Sequence, residues 1–479
     1  MYYKLVKPWT LRGYPDELLT LDAAGVPGPQ YKLTGPLFRL LMQCDGCTDI
    51  TSPDETTRQV LAHYQRQGVL EACDTPSPIR EWQKYRCFDH RRIPGAFFSL
   101  TGRCNLHCQH CFAQAENLKA AKEFTLEQIA YILDQLQDCG IQALILSGGE
   151  PLVHRDFSAI LDQIALRDMR VHRLYTNGIL LTEEVAAQMT RLGMRPEIVL
   201  SFDGLGVHDW MRRRPGAQDR AVEAMRVSRE AGFPIRCAVN INDRTTPVLE
   251  ETARFLYDHG VRSLFFIRTS ESPEWLRTGN RCLTPDEYWQ AAIGLIRDLR
   301  DLNKKDLDIQ FFNGPFIQHG ATPEFFRQFI LPEDQPLEDC GAWCRKARDW
   351  LSISSTGIIF PCDAYEGAAL ESGFFRQGCN ILERPLHDIL KDSDYARVFA
   401  ISVADVMKAN PECASCKWMR HCKGSDCRVG GTLGLAAKAG KGYFAREDTI
   451  KPVLKGPLTC AFYQGGYYEQ MLRILENDK

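Results

Sequence analysis

The sequence predicts an α/β protein organised on a parallel sheet or barrel, and three observations carry that expectation. Between about residues 93 and 310, short apolar runs alternate with amphipathic stretches at helical spacing, the mark of repeated strand–helix units. Several runs end on glycine, asparagine or serine, and the carboxyl ends of parallel strands are where a barrel builds its site. Cysteines cluster at metal-ligand spacings, with a triplet directly after the first run and a larger set from residue 340 onward.

Length and composition bound the answer. A chain of 479 residues suits two or three domains, and a hydrophobic fraction of 44% is ordinary for a globular protein. A net charge of −3 opposes a nucleic-acid partner. Residues 1–10 lack the apolar core of a signal peptide, and no window of about 18 residues is apolar enough to span a bilayer, so no membrane partner is expected. The 19 cysteines raise the alternative of a secreted disulfide protein. The clustering, the size and the missing signal favour a reducing cytoplasm, with little oxygen because accessible clusters oxidise.

Residues 1–80 read as one small domain. Leu33, Leu37, Leu40 and Leu41 share a helix face, and Cys44-Asp45-Gly46-Cys47-Thr48 reads as a turn. N-cap candidates at 51–54 precede Val60, Leu61 and Tyr64, and Gly68-Val69-Leu70 ends that helix and starts a strand. This order resembles the winged-helix, PqqD-like domain that captures precursor peptides for peptide-modifying enzymes. A DNA-binding winged helix is the rival. From Tyr31 to Cys73, however, four basic and five acidic residues sum to −1, a poor phosphate-binding face. A leader peptide added to a sheet edge needs no basic patch. Cys44 and Cys47 form a lone C-x2-C and read as buried or incidental thiols. Residues 81–92, with Pro76, Pro78 and Pro94 nearby, read as a linker.

The strand–helix region spans 93–310. Its first run, Ala96-Phe97-Phe98-Ser99-Leu100, leads into Cys104, Cys108 and Cys111. Thiolates select zinc or iron–sulfur clusters. Three leave one corner of a 4Fe–4S cube open, whereas a zinc site would be completed by His107 or His110. Thr125 should cap a helix that buries Ile129, Ile132, Leu133 and Leu136 and stops at Gly140. The run 143–147 ends in Gly148, Gly149, Glu150 and Pro151, where the glycines let the backbone approach a ligand. The run 171–175 leads to Asn177, and 198–202 carries Ser201 and leads to Asp203, which turn chemistry also explains. The run 235–240 ends at Asn240. Arg268 closes 264–268, a cation for a carboxylate or a salt bridge within the barrel.

Residues 311–339 are an aromatic bridging region without a clear assignment, and 340–479 are cysteine-rich. The runs 350–353 and 358–362 flank a Ser355-Thr356-Gly357 turn and predict a hairpin. The segment 378–382 leads into a helix from Pro385 to Ile389, and a zinc ribbon from Cys413, Cys416, Cys422 and Cys427 is one reading of the tail. Cys139 and Cys237 fall in core patterns, while Cys282 and Cys379 fall in loop-like stretches open to a substrate.

The C-x3-C-x2-C triplet with His110 before its third cysteine, followed by Gly148-Gly149-Glu150 on a strand end, resembles the radical S-adenosyl-L-methionine (SAM) superfamily. The tail resembles that superfamily's SPASM extension. Cys344, twelve residues, Gly357, four residues and Cys362 fit its pattern, as does Cys413-x2-Cys416-x5-Cys422; Cys427 departs by following after four residues rather than three. The resemblance implies a partial (β/α)6 TIM-type barrel between a winged-helix domain and an iron–sulfur domain. It implies a SAM-binding 4Fe–4S cluster on Cys104, Cys108 and Cys111, with SAM held by 148–151, Ser201 and Asp203; Asn177, Asn240 and Arg268, at neighbouring strand ends, are further candidates to hold it. It implies two auxiliary 4Fe–4S clusters, one on Cys340, Cys344, Cys362 and Cys427 and one on Cys413, Cys416, Cys422 and Cys460. The expected activity is hydrogen abstraction by a 5′-deoxyadenosyl radical from a precursor peptide, supplied with electrons by a flavodoxin- or ferredoxin-type donor. The expected product is a cross-link, a Cys thioether first and a C–C or C–O bond otherwise. Sulfatase-type maturation or small-molecule tailoring is the alternative within the superfamily. A zinc- or DNA-binding regulator is the alternative from another class.

Overall fold

A computed structural model describes residues 1–25, 30–111, 123–270, 272–312, 314–338, 340, 350–362, 378–393, 395–396, 402–423 and 457–476. The amino-terminal elements are β1 (Tyr2–Leu5), β2 (Trp9–Tyr14), β3 (Glu17–Ala23), β4 (Tyr31–Lys32), α1 (Gly35–Met42), β5 (Asp45–Asp49), α2 (Glu55–Arg66), β6 (Leu70–Cys73) and β7 (Arg86–Cys87). Asp54 caps α2 by accepting the Thr57 N–H at 2.7 Å. Leu41 and Leu61 from the two helices bury against Leu5, Leu11, Leu21, Val69 and Leu70, so this unit has its own core.

Three features here depart from expectation. A β2–β3 hairpin occupies residues 9–23, joined across Pro15-Asp16, where the sequence had no assigned element. The expected turn at 44–48 is largely strand β5, because Tyr2 and Lys4 of β1 pair with Asp49 and Asp45. The expected linker contributes β7, which pairs with β2 through Arg12↔Arg86. Arg12, only 2% exposed, fastens it by donating to the Leu11 and Lys84 carbonyls at 2.8 and 2.7 Å and to the Trp82 carbonyl.

The centre is an open ten-stranded sheet in the order β15-β14-β13-β12-β11-β10-β9-β8-β16-β17. Its chain order runs β8 (Gly95–Ser99), α3 (Leu126–Asp138), β9 (Ala143–Ser147), α4 (Phe157–Leu166), β10 (Arg170–Thr176), α5 (Glu183–Arg191), β11 (Glu197–Ser201), α6 (His208–Arg212), α7 (Ala217–Glu230), β12 (Ile235–Ile241), α8 (Leu249–Asp258) and β13 (Ser263–Arg268). After α9 (Pro273–Arg277), α10 (Pro285–Asp298) and α11 (Arg300–Lys305) come β14 (Asp308–Phe311), β15 (Phe316–Ile317), α12 (Pro323–Arg327), β16 (Trp350–Ile353) and β17 (Ile359–Phe360). All six expected strands form, as β8 to β13, each parallel to the next. β14 extends the parallel run, and β15 turns back antiparallel. The expected hairpin of the tail forms as β16–β17, and β16 continues this sheet in parallel on β8, Leu351 facing Ala96.

Alternate strand residues explain the two faces. Leu144, Leu146, Ile198, Leu200, Cys237 and Val239 join the helix faces in one apolar core. Ala143, Ile145 and Trp350 pack with Phe97 and Tyr175 on the opposite face. Toward the amino ends of the strands Glu197 meets Arg173 and, at 3.1 Å, Arg236, which also reaches Gln310 at 2.9 Å. The amino-terminal unit docks on this body through Asp168, which takes Lys7, Arg80 at 3.2 Å and the Trp82 indole at 3.5 Å. α13 (Leu386–Lys391) docks from the other end of the chain, with Lys391 on Asp89 at 2.6 Å. Helices at 403–409, 411–414, 419–422, 457–464 and 467–476 complete the described residues, and none among them is long and apolar enough to cross a membrane.

Candidate functional site

The cysteine loop follows β8 and lies against the carboxyl end of β9. Gly149 N–H donates to the Thr101 carbonyl at 2.8 Å, and Glu150 N–H to the Arg103 carbonyl at 2.9 Å. Only glycine permits this contact. Gly148 has φ +141°, and a Cβ on it would stand 2.4 Å from the Thr101 oxygen; one on Gly149 would stand 2.3 Å from the Arg103 oxygen. The sequence placed a ligand beside this glycine pair. The structure places the cysteine loop's own backbone there.

Two more strand ends hold the loop. Asn177, after β10, donates to Asn105 Oδ1 at 2.7 Å and lies 4.0 Å from Cys104 Sγ. α6, after β11, offers the Met211 carbonyl to Gln109 N–H and the Trp210 carbonyl to Gln109 Nε2, both at 2.9 Å. Burial pushes the Cys104 thiol up to about 12.

Glu150 turns inward. It is 1% exposed and accepts from Thr176 Oγ1 at 2.8 Å, Asn177 N–H at 2.7 Å and Leu152 N–H at 3.3 Å. Burial still pushes its carboxyl up to about 7, against those three donors. The carboxylate therefore ties the ends of β9 and β10 together, and Pro151 begins the short turn it caps. Asp203 also has no surface for a ligand. It is wholly buried and pairs with Arg212 Nε and Nη2 at 2.7 and 3.1 Å, while Asn240 Nδ2 donates to it at 3.1 Å. Burial would raise its carboxyl, but the Arg212 charge together with the His208 hydrogen bond and the nearby His110 and His208 holds it well below the usual range.

Of the remaining candidates, Ser201 ends β11 half-buried, opposite Ala238 on β12. Arg268 ends β13 and sends Nε to the Leu283 carbonyl at 2.7 Å. In the tail, Cys340 packs with Val403, Met419, Cys413 and Cys422, and Gln464 on the helix that bears Cys460 lies 4.0 Å from Cys416 Sγ. Cys362 packs instead against the main core. Cys344, Cys427 and the glycine-rich stretch near 430–442 lie outside the described residues. Cys379, expected in an open loop, is fully buried in the main core, and its carbonyl accepts the Ile359 N–H at 2.8 Å. Cys44 is buried and Cys47 exposed, which separates that C-x2-C pair.

Sequence reasoning missed Arg212 and His208. Arg212 Nη1 points at Cys108 Sγ, 3.6 Å away. Asp203-x4-His208-x3-Arg212 was a legible signal, since it sets one helical turn after a strand end, but Arg212-Arg213-Arg214 looks like a surface run.

The thiols of the cysteine loop are of the donor type that an iron–sulfur cluster takes. Among the described residues no three His, Cys, Asp or Glu side chains converge as the ligands of one metal ion would. A four-iron cluster asks for less, because each iron takes its own thiolate, and thiols are the soft donors it requires. Fold and site thus define a parallel α/β domain with a thiol-bearing loop and polar groups at its strand ends. Residues 98–266 match the model of the radical SAM superfamily. The sheet with its cysteine loop is a radical SAM domain, the protein is a radical SAM enzyme, and the domain implies SAM and a 4Fe–4S cluster. The chain is 25% identical to Fe-coproporphyrin III synthase of Methanosarcina barkeri over 71% of this chain and 84% of that protein. It is 26% identical to PqqA peptide cyclase of Granulibacter bethesdensis over 57% of this chain and 68% of that protein. Its fold is similar to that of Streptococcus suis SuiB bound to precursor peptide SuiA, with TM-score 0.63 at 15% identity, covering 93% of this chain and 99% of that one.

Proposed function

We propose that this radical SAM enzyme cross-links a ribosomally made precursor peptide. The carrying observation is the amino-terminal unit with its own core, whose sheet order β5-β1-β6 leaves β6 at an edge. An edge strand offers backbone donors and acceptors to an added peptide strand, as leader recognition requires. The peptide named for the cyclase relative and the precursor peptide in the SuiB structure support the same substrate class.

In this reading Cys104, Cys108 and Cys111 hold the SAM-binding cluster, and the Gly148–Glu150 backbone, Asn177, Ser201, Asn240 and Arg268 surround SAM. SAM and cluster together supply a 5′-deoxyadenosyl radical able to take hydrogen from an unactivated carbon. Glu150 and Asp203 act behind the site, holding strand ends and the Cys108 support in place. The tail cysteines hold two auxiliary clusters, and a Cys thioether is the first product to seek. A second reading, small-molecule tailoring, is favoured by the coproporphyrin-named relative.

Anaerobic reconstitution with SAM and reductant should yield 5′-deoxyadenosine and about twelve irons per chain. A precursor encoded beside the gene should bind the enzyme and lose hydrogens by mass. Zinc in place of iron, or no 5′-deoxyadenosine, would overturn the enzyme reading. About four irons would remove the auxiliary clusters. Turnover of a porphyrin but no encoded peptide would select the second reading.

A further inference from the structure

Arg212 sits at the centre of a buried charge network whose outer end is a cysteine sulfur. Two of its nitrogens are spent on Asp203, at 2.7 and 3.1 Å, and the third lies 3.6 Å from Cys108 Sγ. The arginine is 7% exposed and the aspartate not at all. A sealed ion pair is a poor source of stability, since desolvation cancels much of the attraction. Its orientation is what stands out. Asn240 donates to Asp203 Oδ1 at 3.1 Å, and His208 Nδ1 lies 3.1 Å from the Asp203 amide nitrogen and 3.2 Å from Oδ2. The carboxylate is thus pinned behind the guanidinium, and the positive end of the pair faces the thiol. His110, whose Nε2 lies 3.9 Å from Asp203 Oδ1, is a further ionisable group beside this carboxylate. The loop is also tied to the element that bears the arginine, because Gln109 bonds to the carbonyls of Trp210 and Met211.

Hydrogen bonds to ligand sulfur and nearby positive charge both stabilise the reduced, more negative state of an iron–sulfur cluster. We propose that Arg212 is a positioning residue for the radical SAM cluster. Oriented by Asp203, it hydrogen-bonds the Cys108 sulfur and raises the cluster's reduction potential. The proposal rests on Cys108 being a cluster ligand. Arg213 and Arg214 do not share the role: Arg213 pairs with Glu274, and Arg214 reaches the Asn105 carbonyl at 3.4 Å.

The test is an anaerobic redox titration of the reconstituted full chain, following the EPR signal that changes when SAM is added, with iron counted in each sample. Arg212→Gln keeps a polar side chain but removes the charge. At a fixed dithionite potential its ratio of reduced to oxidised cluster should fall about tenfold, a downward midpoint shift of about 59 mV for a one-electron couple. Arg212→Lys keeps a point charge without the fork and should fall between the two. A merely structural arginine would leave the midpoint of the retained cluster unmoved, so wild-type midpoints in a variant with wild-type iron overturn the proposal. If Arg212→Gln loses its iron, Arg212→Lys decides on the same criterion. An iron-free Arg212→Lys overturns the proposal too, since it assigns Arg212 to building the site. Cys108→Ala reports separately on the premise: a SAM-responsive signal that survives it removes Cys108 as a ligand.

Discussion

Glu150 shows how far one side chain's chemistry departs from its sequence context. A carboxylate after two glycines on a strand end invites a ligand, yet the fold buries it against Thr176 and Asn177. Its folded carboxyl titrates near about 7, against an ordinary 4.5. The folded state therefore binds more protons than the unfolded state between those values. Its contribution to stability is full below about 4.5 and is lost as pH rises through about 7. Equilibrium unfolding from pH 5 to 8 should show this decline in the wild type and a flatter profile in Glu150→Gln. The variant should lose about 1–3 kcal/mol at pH 5, because one backbone or hydroxyl donor is left unpaired. At Gly148 the constraint is steric. Gly148→Ala would force the Thr101 carbonyl aside, since its Cβ would lie 2.4 Å from that oxygen. Its iron content should drop by about four per chain while the far-UV circular dichroism is kept.

At the scale of the element, α3 separates what caps from what packs. Thr125 accepts the Gln128 N–H at 3.3 Å, and Gln128 Oε1 accepts the Thr125 N–H at 3.0 Å, closing a capping box. Ile129, Ile132, Leu133 and Leu136 are fully buried beneath it. Thr125→Ala should cost about 1 kcal/mol and Ile132→Ala about 2–5 kcal/mol in denaturant unfolding. Equal losses would contradict this division of labour. Both features were legible because cap and apolar spacing are local. β5 was not legible, as Cys44-Asp45-Gly46-Cys47-Thr48 has turn composition and becomes strand only by pairing with β1, some forty residues earlier.

Across the whole molecule, single residues join units that the sequence keeps far apart. Asp168, in the turn between α4 and β10, receives Lys7, Arg80 and Trp82 from the amino-terminal unit. The aspartate is a quarter exposed, so each ion pair contributes at most about 1 kcal/mol. Asp168→Asn keeps the left-handed backbone tolerable at φ +55° and removes the charge. Hydrogen exchange should then rise in 2–23 and 80–87 while β8 to β13 stay protected. Unchanged exchange would show that the apolar contacts alone hold the unit.

The sequence by itself determined the six parallel strands, the helix that follows the cysteine loop, the hairpin of the tail and the closely spaced cysteine triplet after the first strand. These rest on spacings within one element or one strand–helix unit, where apolar period and turn residues suffice. Tertiary structure decided which of the candidate polar residues the fold itself consumes. Glu150 and Asp203 carry the residue types of a binding site, but partners within the fold consume them: Thr176 and Asn177 for one, Asn240 and the nearby Arg212 for the other. Tertiary structure alone also set Arg212 beside Cys108, 104 residues apart in the chain, where Asp203 supplies the counter-charge that a buried cation needs.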